Sequence, residues 1–123
     1  MTANILVVDD DADLRQTLQQ LLNDSGYQVT VAASGQAALD QLTAGARPDV
    51  ILLDLMMPDM NGWQFLERAH ADAILAAIPV VIMTARKAAD SLPIPPGEVL
   101  RKPFDYRQLL STIARCAVPP GDL

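Results

Sequence analysis

A single cysteine, Cys116, stands in this chain of 123 residues, so neither an internal disulfide nor a cysteine-rich zinc site is available to it. Positive charge is scarce as well: 9 Lys and Arg against 15 Asp and Glu give a formal net charge of −6. That balance argues against the chain itself gripping a nucleic acid backbone or an anionic membrane, and it suits the binding of a cation. No apolar run approaches membrane-spanning length. The first residues show no charged leader with an apolar stretch and a cleavage site, so no signal peptide is expected and a soluble cytoplasmic protein is the default. Low-complexity segments and internal linkers are absent too.

What is present is apolar and periodic. Half of the residues are hydrophobic, enough for one globular domain over residues 1–123 with a core of its own. The chain is organised around Asp49 to Gly62. Val50 to Leu53 form an unbroken run of branched apolar residues, closed by turn signals at Pro58 and Asn61-Gly62. Such a run reads as a strand buried on both faces in the middle of a parallel sheet. Asp54 finishes it, which implies that the strand opens there into a polar crevice.

Strands and helices alternate five times. Ile5 to Val8 predict a first strand ending at Asp9 and Asp10. Leu14, Leu18, Leu21 and Leu22 share one face of a first helix over Asp13 to Ser25, stopped by Gly26. Tyr27 to Ala32 alternate like a strand near a sheet edge. Ser34 caps a second helix to about Ala44, with Ala38, Leu39 and Leu42 inward. A third helix carries Phe65, Leu66 and Ala69 inward and runs to about Ala76. Val80 to Met83 form a fourth strand finishing at Thr84 and Ala85. Arg86 to Gly97 start as a helical turn and then meet Pro93, Pro95 and Pro96, which cannot continue a helix. Glu98 to Arg101 form a fifth strand ending at Lys102-Pro103. Asp105, with Gln108 at capping-box spacing, opens a last helix whose stripe is Tyr106, Leu109, Leu110, Ile113 and Ala117. Strict alternation of this kind predicts an α/β fold, a doubly wound parallel sheet with right-handed crossovers.

In such sheets ligands sit beyond the strand C-termini, where the strand order reverses. Those ends carry Asp9 and Asp10, Asp54, Thr84 and Lys102. An order 2-1-3-4-5 sets strands one and three side by side and gathers three carboxylates. Two bare carboxylates 4 Å apart repel by about 4 kcal/mol at a surface-like dielectric. Lys102 or a hard divalent ion must offset that. Mg²⁺ suits one or two carboxylates completed by waters and a phosphate. A carboxylate can itself be the nucleophile that forms an aspartyl phosphate, and Asp54 is the best placed.

Val-Val-Asp-Asp, Leu-Leu-Asp-Leu-Met-Met-Pro-Asp-Met-Asn-Gly, Met-Thr-Ala and Lys-Pro-Phe, in that order, resemble the receiver domain of bacterial response regulators over about Thr2 to Ala117. The resemblance implies a flavodoxin-like five-stranded sheet and a module of two-component or phosphorelay signal transduction. It implies that Asp54 takes a phosphoryl group from a histidine kinase or a histidine phosphotransfer protein. Asp10, Asp54 and the backbone carbonyl of Met56 would hold Mg²⁺, with Asp9 acting through water. Thr84, with Ala85 beside it, and Lys102 would sense the phosphate, and the Lys102-Pro103 bond is expected to be cis. Such a module is not an enzyme in the usual sense; it catalyses only its own phosphorylation and dephosphorylation.

Two departures follow from the same comparison. The family's usual aromatic residue, three positions before the lysine, is Val99 here. The proline-rich connection from Arg86 to Gly97 predicts that the helix between strands four and five is truncated, irregular or replaced by a loop, which shifts the expected output surface elsewhere. Asp11, His70, Cys116 and Trp63 read as an exposed residue near a helix start, a solvent-facing histidine, a small packing residue and a half-exposed aromatic. Met56, Met57 and Met60 read as gap-fillers. Two other functions remain open: a phosphorylation-independent adaptor on the same fold, motivated by Val99, and a phosphatase resembling the haloacid dehalogenases, with Asp9 and Asp11 as its Asp-x-Asp pair.

Overall fold

Side chains alternate across a pleated strand, so a strand whose residues are all apolar must find cover on both sides. The computed structural model shows how that cover is arranged; it describes residues 3–55, 57, 62–85, 98–102 and 104–117. Expectations that fall on Met56, on residues 58–61, on residues 86–97 and on Pro103 lie outside the described residues. The elements run β1 (Asn4–Val8), α1 (Ala12–Asp24), β2 (Gln28–Ala32), α2 (Gly35–Thr43), β3 (Val50–Asp54), α3 (Gly62–His70), α4 (Ala73–Ala76), β4 (Val80–Ala85), β5 (Glu98–Lys102) and α5 (Tyr106–Cys116). The strands form one sheet in the order β2-β1-β3-β4-β5, every neighbouring pair parallel.

The sheet separates two cores. On one side Leu6, Val8, Ile51, Leu53 and Ile82 pack against Ala38, Leu39 and Leu42 of α2, Phe65, Leu66 and Ala69 of α3, and Leu75. On the other Ile5, Val7, Val50, Leu52, Val81, Met83 and Leu100 pack against Leu18 and Leu22 of α1 and Leu109 and Ile113 of α5. All five residues of β3 are buried, whereas edge strand β2 alternates between exposed and partly covered positions up to its buried last residue, Ala32. Gln41 of α2 donates from Nε2 to the Val31 carbonyl at 2.9 Å, occupying an acceptor on that edge strand. Among the described residues no helix is long and apolar enough to cross a membrane.

The helix starts follow from short polar side chains that accept orphan backbone N–H groups. Asp11 accepts from Asp13 and Leu14 at 3.0 and 3.2 Å, so α1 begins one residue before the predicted start. Ser34 Oγ accepts from Ala37 N at 3.1 Å, and Asp105 from Arg107 N at 2.7 Å. Gly26 and Gly45 close α1 and α2 with φ of +98° and +113°, a region that L side chains rarely adopt.

Two expectations are corrected. The third helix does not run unbroken to Ala76: it ends at His70, and Asp72 restarts the chain as α4 by accepting from Ile74 and Leu75 N–H. An aspartate that can bond its own neighbours competes with the helix interior and wins here. Tyr106, placed on the inner stripe of the last helix, is exposed; α5 buries Leu109 and Ile113 as expected, and Thr112 with them.

Candidate functional site

Register brings the acidic tips together. The last paired residues of β1 and β3 are Val8 and Leu53, so Asp9 and Asp54 are the next step along two hydrogen-bonded neighbours. Asp9 is in phase with Ile5 and Val7, and Asp54 with Val50 and Leu52, all on the α1/α5 side of the sheet. Lys102 is in phase with Leu100 on that same side. Three residues from three strands therefore emerge on one face, at the C-terminal edge of the sheet.

Asp9 is fully buried and Asp54 nearly so, while Asp10 is exposed. Asp9 Oδ1 accepts from the Asp11 N–H at 2.9 Å, and Asp9 Oδ2 from the Lys102 ammonium at 3.1 Å. The same ammonium donates to Asp54 Oδ2 at 3.4 Å. Carboxylate oxygens of Asp9, Asp10 and Asp54 lie within 4.8 Å of one another. Burial disfavours the charged form of Lys102, yet the carboxylates of Asp54 and Asp9 outweigh it and hold the ammonium above its ordinary pKa of 10.5. Lysine is thus locked as a cation between two acids.

Three carboxylates this close favour further positive charge beside the Lys102 ammonium. The donor set is all hard oxygen, with Asp10 opening to solvent, and it fits a hard divalent cation that keeps part of its water shell.

Thr84 is fully buried at the end of β4, one residue beyond Met83, the β4 partner of Asp54. It is in phase with Val80 and Ile82, on the α2/α3 side of the sheet. Val99 pairs with Ile82 and packs against the same core. Thr84 and Val99 therefore share one side of the sheet, and Asp9, Asp54 and Lys102 the other. Ala85 is the backbone partner of Lys102. Met56 and Pro103, the remaining expected site residues, are outside the described residues. His70 is exposed, Cys116 is partly covered by the α1/α5 core, and Trp63 is partly buried against the α2/α3 core.

Sequence reasoning missed Arg15. Its guanidinium donates from Nη1 to the Asp9 carbonyl at 2.8 Å. Nothing in the helical periodicity marks it, since it lies off the apolar face of α1. The available signal was its position one turn after three consecutive aspartates.

The sequence model described as "Response regulator receiver domain" matches residues 5–114. The chain is 36% identical to response regulator MprA of Mycolicibacterium vanbaalenii over 115 residues, which are 90% of this chain and 48% of that protein. It is 35% identical to response regulator MprA of Mycobacterium tuberculosis, covering 49% of it. The chain thus spans about half the length of the curated relatives it matches. Among solved structures, chemotaxis protein CheY4 of Vibrio cholerae superposes with a TM-score of 0.83 at 32% identity, over 94% of this chain and 99% of that one. The signal receiver domain of a signal transduction histidine kinase from Syntrophus aciditrophicus superposes with a TM-score of 0.84 at 28% identity, over 94% and 90%.

Proposed function

The chain belongs to the response regulator receiver domains, the phosphoacceptor modules of two-component signalling, and from that premise we propose that Asp54 is the residue that takes the phosphoryl group. The observation that carries this is the convergence of Asp9, Asp10 and Asp54 oxygens within 4.8 Å beside an ammonium that bridges two of them. The donor is a phosphohistidine on a histidine kinase or a histidine phosphotransfer protein. An Asp54 oxygen attacks phosphorus, the P–N bond breaks, and the histidine nitrogen keeps the electron pair and takes up a proton. The product is an aspartyl phosphate.

In this reading each neighbour has its own task. Asp10, Asp54 and the Met56 carbonyl would hold Mg²⁺, with Asp9 acting through water. The ion would supply charge neutralisation for the transferring phosphoryl oxygens. Lys102, already a cation between Asp9 and Asp54, exchanges a carboxylate partner for a phosphoryl oxygen. Thr84 donates its hydroxyl to another phosphoryl oxygen, and Ala85 lies next to it. We also take the chain as one receiver domain over residues 1–123, working in the cytoplasm, with Lys102-Pro103 in the cis form. It catalyses its own phosphorylation and dephosphorylation and no other reaction.

The phosphatase reading with an Asp9/Asp11 pair finds no support. Asp11 spends its carboxylate on capping α1, and Asp9 is held by Lys102 and a backbone N–H. The adaptor reading keeps one specific motive, which is Val99 in the core beside Ile82 where the family usually has an aromatic ring.

Incubation of the chain with Mg²⁺ and acetyl phosphate, followed by intact mass, tests the assignment. A single added phosphate that disappears in Asp54→Asn is expected. A phosphate that persists in that variant, or none in the native chain, rejects it. Partner affinity measured with and without beryllofluoride separates the switch from the adaptor: unchanged affinity selects the adaptor.

A further inference from the structure

All four polar atoms of Asp9 are engaged, each by a different group. Its N–H donates to the Ala32 carbonyl at 3.2 Å, Oδ1 accepts from Asp11, and Oδ2 accepts from Lys102. The fourth atom, its carbonyl oxygen, accepts from Arg15 at 2.8 Å. That oxygen belongs to the peptide unit joining Asp9 to Asp10. A peptide unit is planar, so holding its oxygen fixes the plane and with it the position of the next Cα. The next Cα is that of Asp10, the exposed acid whose carboxylate completes the cluster with Asp9 and Asp54.

Arg15 stands four residues after Asp11, yet its guanidinium bonds the Asp9 carbonyl while the Asp11 carboxylate caps α1. Arg15 lies one turn into α1, near the positive end of the helix dipole, where a cation is disfavoured. The residue is partly buried, so its rotamer freedom is already reduced. A charged donor to a neutral carbonyl is among the stronger hydrogen bonds. The turn itself is anchored on its far side by Asp11, which caps α1. Arg15 and Asp11 therefore hold Asp10 from both flanks.

We propose that Arg15 is a positioning residue for the cation site: through the Asp9 carbonyl it sets the Asp9–Asp10 peptide plane and so aims the Asp10 carboxylate. This inference rests on the reading of Asp10 as a Mg²⁺ ligand. It makes a prediction opposite in sign to simple electrostatics. A nearby cation repels Mg²⁺, so a purely electrostatic Arg15 weakens binding and its loss tightens it. A positioning Arg15 strengthens binding and its loss weakens it.

The experiment is a calorimetric titration of Mg²⁺ into the native chain, Arg15→Gln and Arg15→Lys, each checked by urea unfolding in EDTA. Removing a group that orients a metal ligand costs about 10-fold or more in affinity. Arg15→Gln is expected to bind Mg²⁺ about 10-fold more weakly, with Arg15→Lys between it and the native chain. Arg15→Lys keeps the charge, so weakening there is geometric, and it decides the matter alone where Arg15→Gln does not fold. Binding that is unchanged in Arg15→Lys, or tighter in Arg15→Gln, overturns the inference and leaves the Mg²⁺ site standing. No heat with the native chain removes the site and the inference together.

Discussion

Lys102 Nζ lies 3.1 Å from Asp9 Oδ2 although the two residues are 93 positions apart. The contact closes the sheet edge from β5 across to β1, over the tips of the two strands between them. Asp54 stands in that gap and shares the ammonium at 3.4 Å. Among the described residues, Lys102 is the cation bonded to the acids that the strand order brings together.

Lys102→Met is expected to destabilise the metal-free protein by about 2 kcal/mol. Removing one partner of a buried pair strands the other charge, though partial exposure of Lys102 softens the loss. Urea midpoints in EDTA read this directly. The same variant should bind Mg²⁺ more tightly than the native chain, because the competing cation is gone.

Alkaline pH should undo the same contact. The folded-state pKa of Lys102 is raised above 10.5 by the Asp54 and Asp9 carboxylates, against its burial. A raised pKa on a basic group adds stability that is complete below the unfolded value and is lost as pH climbs through the folded one. Urea midpoints of metal-free protein should fall above pH 10.5. The fall should be shallower in Lys102→Met; equal slopes would show that the lysine is not responsible.

Mg²⁺ should stabilise the folded chain. At a concentration one hundred times its dissociation constant, a ligand specific for the native state adds about 2.7 kcal/mol. Thermal unfolding with and without EDTA measures the shift. Asp10→Asn should abolish most of it without lowering the metal-free melting temperature, since Asp10 is exposed and its charge there adds only repulsion.

Asp11→Ala should lower stability by about 1 kcal/mol through loss of the α1 cap. Acetyl phosphate should still phosphorylate the variant. Loss of phosphorylation in a folded Asp11→Ala protein would revive a chemical role for that carboxylate.

Phe65 is fully buried among α3 and the strands. Phe65→Ala should cost about 4 kcal/mol, the usual range for a large core aromatic replaced by alanine. Denaturant unfolding of the variant, with an unchanged slope against urea, checks that the loss is one of packing.

Much of this was legible because the fold writes itself in apolar runs. Val50 to Leu53 announce a central strand without ambiguity, and strict alternation of strands and helices leaves few topologies. The acids were legible because Asp9, Asp10 and Asp54 end such strands. Local competition was harder to see. Asp72 interrupts a helix whose apolar spacing continues, and only its side-chain bonds to Ile74 and Leu75 decide the break. Tyr106 fits the inner stripe by spacing, yet it is exposed while Leu109 and Ile113 of the same helix are buried. Arg15 was illegible because its partner is a backbone carbonyl, which no residue type advertises.

The two-sided sheet has a consequence for anyone editing this protein. Inserting one residue inside Val50–Asp54 would not merely shift Asp54 along the strand; it would turn the carboxylate toward Phe65 and trade the occupants of both hydrophobic layers. Only even-numbered changes of strand length leave the acid facing Lys102. Parity, more than sequence identity, is the constraint under which this strand can drift.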